Sequence, residues 1–168
     1  MTESTKLYSL GYDKVKTYGI VILFVIGNLV LPQLCHLLPN GGAMLLPIYF
    51  FTLIAAYKYG LIAGLLTAIL SPVMNYTLFG MPTVSVLPIM VMESVLLAII
   101  ASEIAKKTNR ITFWGILLTV VSYQIVSTLI IAVLETPDFA INQIKVSIPG
   151  IILQIIGGYL LLKYVLRK

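Results

Sequence analysis

Residues 86–110 read VLPIMVMESVLLAIIASEIAKKTNR. From Val86 to Ala105 the run is apolar but for two serines and two acids, and it closes on Lys106, Lys107 and Arg110. About 20 predominantly apolar residues match the roughly 30 Å thickness of a bilayer's hydrocarbon core. Short connections rich in Lys and Arg stay on the cytoplasmic side during insertion. The stretch therefore reads as a transmembrane helix that enters from outside and ends inside, with Glu93 well within it.

The same logic extends in both directions. Lys6, Lys14 and Lys16 precede the first apolar run, the gap Cys35–Ala43 carries no charge, and Lys58 stands in the next. The gap Pro72–Ser85 is again uncharged, the following one holds Lys106, Lys107 and Arg110, and the sixth holds Glu135, Asp138 and Lys145. The chain ends on Lys163, Arg167 and Lys168. Basic residues thus mark alternate gaps, which predicts an all-α integral membrane protein. The expected architecture is a six-helix transmembrane bundle with both termini cytoplasmic, forming one domain over residues 1–168 behind a cytoplasmic segment 1–16. Its spans are expected at about 17–34, 44–57, 60–71, 86–105, 111–134 and 143–165. The second and third are short and bounded by Pro47 and Pro72. They predict either short helices in a thinned region or a pair dipping in from outside, and in both cases a cavity that covers them.

Composition agrees. Of 168 residues 60% are hydrophobic and 10% charged, with a mean hydropathy of +1.04. That is far from the roughly 25% charged residues of soluble domains, and six spans leave no length for a soluble domain. The net charge of +5 is accounted for by topology and anionic headgroups, so no nucleic-acid partner is expected. The N-terminus shows no small-residue cleavage pattern after its apolar run, and the lone Cys35 permits no internal disulfide.

Missing motifs narrow the chemistry. There is no G-x-x-x-x-G-K-[ST], H-E-x-x-H, G-x-S-x-G or C-x-x-C, and no cluster of His, Cys and acids at ligand spacing. No catalysis, no metal and no cofactor is expected in this chain. An acid at membrane depth is costly unless paired, protonated or wetted, which makes Glu93 either the leading site residue or a structural hydrogen-bond anchor. Lys145 is expected near it at the outer end of the last helix. Asn28, Gln33, Gln124, Ser127, Thr128 and Gln154 lie at similar depth; each alone is an ordinary interhelical hydrogen bond, but together they favour an outward pocket. The loop 72–82 mixes aromatics, Asn75, Gly80 and prolines, and reads equally as a lid or as an interfacial loop. His36 sits in the preceding outer gap. Small residues at four-residue spacing, Gly60-Gly64-Ala68 and Ser94-Ala98-Ser102, predict close helix packing.

Leu46-Pro47, Tyr59-Gly60-Leu61-Ile62-Ala63-Gly64, Ser71-Pro72, Gly80-Met81-Pro82 and Pro88-Ile89-Met90-Val91-Met92-Glu93 resemble the substrate-binding S components of energy-coupling factor transporters. The resemblance implies a bacterial plasma-membrane protein that binds a water-soluble vitamin or precursor from outside. It further implies delivery inward by toppling on a transmembrane coupling subunit driven by two cytosolic ATPases, which carry the ATP and Mg. On this resemblance Asn75, Tyr76, Glu93, Gln124, Lys145 and Gln154 are the substrate-binding candidates, and His36, Phe79 and Met81 belong to the gating loops. Many relatives dock through Ala-x-x-x-Ala in the first helix; here that helix reads Gly19-Ile20-Val21-Ile22-Leu23, so either docking uses the Gly60, Gly64 and Ala68 face or the mode of coupling differs. The alternative is a self-sufficient ion-coupled transporter in which Glu93 is the coupling carboxylate.

Overall fold

A computed structural model describes residues 7, 10–11, 14–35, 37 and 41–165. Its regular elements are helices: α1 Val15–Cys35, α2 Gly41–Leu45, α3 Pro47–Tyr59, α4 Leu61–Phe79, α5 Leu87–Thr108, α6 Phe113–Leu134 and α7 Pro137–Leu160. The last runs on into a π-helical turn, Leu161–Val165. Five of them (α1, α4, α5, α6 and α7 with its extension) are long and apolar enough to cross a membrane. The shortest, α4, has 19 residues and so measures about 28 Å.

The polarity of the bundle is inverted relative to a soluble domain. Asn28, Thr52, Ser71, Asn75, Glu93, Ser127 and Gln154 are buried, while Leu23, Trp114, Leu129 and Val133 are well exposed. Only a surrounding apolar solvent makes this arrangement favourable, because there the outward leucines lose nothing and the polar groups find partners inside. The molecule is a multi-pass membrane protein.

α3 is the core element. Its 13 residues pack against α1, α4, α5 and α7, and Leu53, Ile54, Ala55 and Ala56 have no exposed surface. A helix that is apolar on all sides is one enclosed by others, and a 10–14-residue apolar helix reads more often as a buried core helix than as a span. Proline restricts the residue before it to extended backbone, so α2 cannot run into α3 through Leu46-Pro47. Leu46 instead takes a left-handed conformation, φ 50°, and Pro47 opens the next helix without needing its missing N–H.

Two expectations are corrected here. The third helix is not short: α4 runs through Pro72 to Phe79, where Gly80 caps it at φ 67°. Pro72 is buried, and neighbouring groups knit the chain beside it. Asn28 Nδ2 donates to Ser71 Oγ at 2.9 Å, and Asn75 Nδ2 to the Ser71 carbonyl at 3.1 Å. Proline within a membrane helix is tolerated where neighbouring helices enclose it, and the Asn28 bond ties α1 to α4 at that level. The supposed lid 72–82 is therefore mostly helix, and the non-helical connection is 80–86. The last helix, in turn, begins at Pro137 rather than near Gln143, with Thr136 Oγ1 accepting from the Phe139 amide at 3.2 Å as its cap.

The Gly60-Gly64-Ala68 stripe is an internal seam. A Cβ on Gly64 would stand 2.5 Å from Ala56 Cβ, so the glycine lets α4 lie against α3. The two helices meet at Gly60, φ 93°.

The connections sort into two ends. At one, the Leu10 amide donates to the Tyr59 carbonyl (3.1 Å) and Tyr57 Oη to the Arg110 carbonyl (3.2 Å). Lys58, Lys106, Lys107 and Arg110 lie in the segments gathered there, with Lys14 and Lys16 at the start of α1 and Lys163 at the end of α7. The other end collects the C-terminus of α1, α2, the start of α3, the 80–86 connection and the start of α7.

Candidate functional site

A cavity of about 500 Å³ opens at that second end. Its size is within the roughly 300–1,000 Å³ of small-molecule sites. Two helices supply its walls through one repeated spacing. α5 and the residue before it contribute Val86, Ile89, Met90 and Glu93; α7 contributes Phe139, Asn142, Gln143 and Val146. Both sets follow i, i+3, i+4, i+7, one face of a helix. Pro32 of α1, Gly42 of α2, Pro47 and Tyr49 of α3, and Asn75 of α4 complete the enclosure, with Met81, Pro82 and Thr83 at the 80–86 connection. The lining is predominantly apolar.

Glu93 is the polar centre. It is 3% exposed, and both of its oxygens are held: Tyr49 Oη donates to Oε2 at 2.6 Å, and Gln143 Nε2 donates to Oε1 at 3.2 Å. The 2.6 Å bond is in the range of a hydroxyl bound to a carboxylate. The Ser127 hydroxyl of α6 stands close by and donates to the Gln124 carbonyl at 3.2 Å. Three helices, α3, α5 and α7, are thus tied at one carboxyl group. The only ion pair among the described residues, Lys106–Glu103, is exposed and at the far end of α5. Gln143 Oε1 is buried and has no hydrogen-bond partner.

A second polar cluster lies against the cavity on the α1–α4 side. Asn75 Nδ2 donates to the Asn28 carbonyl at 2.9 Å as well as to Ser71, which uses both amide hydrogens. Asn28 Nδ2 reaches Thr52 Oγ1 at 3.3 Å besides Ser71. Asn75 is consequently a strut between α1 and α4, and its oxygen is the polar atom left for the cavity.

The structure separates the expected site residues into groups. Asn75, Glu93 and Met81 come together at the cavity. Tyr76 is half-buried on α4 and Phe79 is 44% exposed at its end; neither lines the cavity. Gln124, on α6, is half-buried away from it. Lys145 is exposed on α7 and makes no bond to Glu93, because Gln143, two positions earlier, occupies the inward face. Gln154 is buried two turns beyond Ser147, where Tyr123 Oη donates to its Oε1 at 3.1 Å. His36 lies outside the described residues. Gly64 and Ala68 are buried inside the bundle, which places them away from any docking surface. Tyr49, Phe139, Asn142 and Gln143 were absent from the sequence reading. The helical spacing of the last three around Val146 was the available signal, hidden by starting that helix at Gln143. Tyr49 carried none.

No family model, curated protein or solved structure matches the chain.

Proposed function

We propose that the protein is the substrate-capturing subunit of a bacterial micronutrient importer, of the kind its motifs resemble, and that the Glu93 cavity is where the solute sits. The observation that carries this reading is the position of the cavity: it lies at the end of the bundle opposite the one where Lys58, Lys106, Lys107 and Arg110 gather. By the positive-inside rule that end faces outward. The chain then crosses six times, with α2 and α3 together making the second crossing, broken at Leu46. A water-soluble vitamin or precursor enters from outside, past the 80–86 connection. Glu93, Gln143 and Asn75 orient it, and Tyr49 and Phe139 cover its faces.

With no nucleotide-binding motif in the sequence, energy comes from partners: a transmembrane coupling subunit and two cytosolic ATPases carrying ATP and Mg. Delivery requires that affinity fall when the cavity is turned inward, since a bound solute moves an equilibrium only through differential affinity.

The test is ligand-induced stabilisation of the purified chain, without partners or ATP, across the water-soluble vitamins and their precursors. At a thousandfold excess over Kd the fold gains about 4 kcal/mol, a readily seen rise in Tm. No stabilisation by any of them removes the reading.

One observation favours a second reading: Glu93 is a buried acid with no basic partner among the described residues. That is the setting of an ion-coupling carboxylate. Uptake by the chain alone in liposomes, driven by a proton or sodium gradient, would establish it.

A further inference from the structure

The polar atoms around Glu93 are unequally divided. Tyr49 Oη and Gln143 Nε2 are both spent on the carboxyl group. What remains beside Glu93 is mostly acceptors: its further lone pairs, the buried and unpartnered Gln143 Oε1, and the oxygen of Asn75, with the Asn142 amide and the Thr83 hydroxyl as the neutral donors elsewhere in the lining. Lys145, the nearest basic residue along α7, is exposed and not engaged with Glu93. A buried acceptor without a donor is destabilising, and a buried carboxylate without a cation more so. The site is incomplete, and what it lacks is a positively charged group bearing N–H donors.

We propose that the solute is a compact organic cation of one or two rings, bound with its N–H-bearing charged end between Glu93 and Gln143. The cavity of about 500 Å³ sets the size. The Tyr49 and Phe139 rings in its wall offer faces that attract a cation as well as apolar area for the rings of the ligand. An anionic solute would face the Glu93 carboxyl group with no basic side chain among the described residues of the lining to offset it, and a neutral one would leave the charge of Glu93 unmatched.

This inference rests on the binding reading above, and the experiment separates the two. The full chain in lipid nanodiscs is titrated with three ligands on one ring: pyridoxamine, pyridoxine and 4-pyridoxic acid, which place an ammonium, a hydroxyl and a carboxylate on the same scaffold. Thiamin serves as a two-ring cation whose charged thiazolium bears no N–H and which should therefore bind more weakly than pyridoxamine, and riboflavin, pantothenate and biotin serve as neutral and anionic vitamins. The expected result is binding confined to the cations, with pyridoxamine at least tenfold tighter than pyridoxine. Glu93→Gln should abolish that preference while leaving any residual ring binding. The matched ligands carry the test on the unaltered protein, so a variant that fails to fold does not blunt it. Tight binding of a neutral or anionic vitamin, equal in wild type and Glu93→Gln, overturns the cation assignment and leaves the importer reading standing. Binding of nothing in the panel overturns both.

Discussion

Glu93 is held on both oxygens by neutral donors, so removing either donor exposes a different weakness. Tyr49→Phe deletes the 2.6 Å hydroxyl bond and keeps the ring. A hydrogen bond to a charged group contributes about 1.5–3 kcal/mol, so the variant should lose stability of that order and bind its solute less tightly. Thermal unfolding and titration on the same sample measure both. Asn75→Ala is a different case. Its amide ties the Asn28 and Ser71 carbonyls together at 2.9 and 3.1 Å, so the substitution should lower Tm even without ligand, by about 1–3 kcal/mol of stability. A Tm equal to wild type would show that Asn75 serves the cavity alone.

Among the elements, α3 and α4 are the pair whose geometry is most tightly set. Gly64 permits their contact, and a methyl group there would come 2.5 Å from Ala56 Cβ. Gly64→Ala should destabilise by about 1–3 kcal/mol through overpacking, and Ala56→Gly in the same chain should restore only part of it, because the added methyl would still stand 2.8 Å from the Ala56 Cα. If the double variant is as unstable as the single one, the helices are not separated by this contact. The long helices were legible in the sequence because α1, α5 and α6 are apolar runs closed by charges or turns, and their ends were read within a few residues. The extent of α4 was not, because Pro72 reads as punctuation, and only the packing of α1 and α3 around it shows that the helix continues to Phe79. The start of α7 was missed for a related reason: Glu135 and Asp138 suggest a loop, whereas Thr136, Pro137 and Asp138 are a capped helix start. Glu93 and Asn75 could be singled out as polar residues at depth. Their partners could not, since Tyr49 and Gln143 become site residues only when α3 and α7 are packed against α5.

For the whole molecule, the decisive quantity is which end faces outward. Cys35 is the sole cysteine, so single-cysteine variants are straightforward to build in a Cys35→Ala background. Thr83→Cys, in the exposed 80–86 connection, should react with a membrane-impermeant maleimide added to intact cells; Asn109→Cys, in the α5–α6 connection at the basic end, should react only after lysis. The opposite pattern would turn the cavity inward and convert the proposed capture site into a release site. Vitamin or precursor present during labelling should protect Thr83→Cys, because Thr83 lines the cavity.

The complete enclosure of α3 also has a consequence for how the protein is made. When Tyr59 leaves the ribosome, of the helices that will wall α3 only α1 exists; α4, α5 and α7 are still to be synthesised. A 13-residue segment with Lys58 in its last turn is a poor substrate for insertion by itself, being shorter than the bilayer core and charged at its end. The Gly60 turn offers a route, because it lets α3 enter as one arm of a hairpin with α4. Even then its far side faces lipid until α5 and α7 arrive. The helix third in the chain thus waits for the seventh before its surroundings are complete.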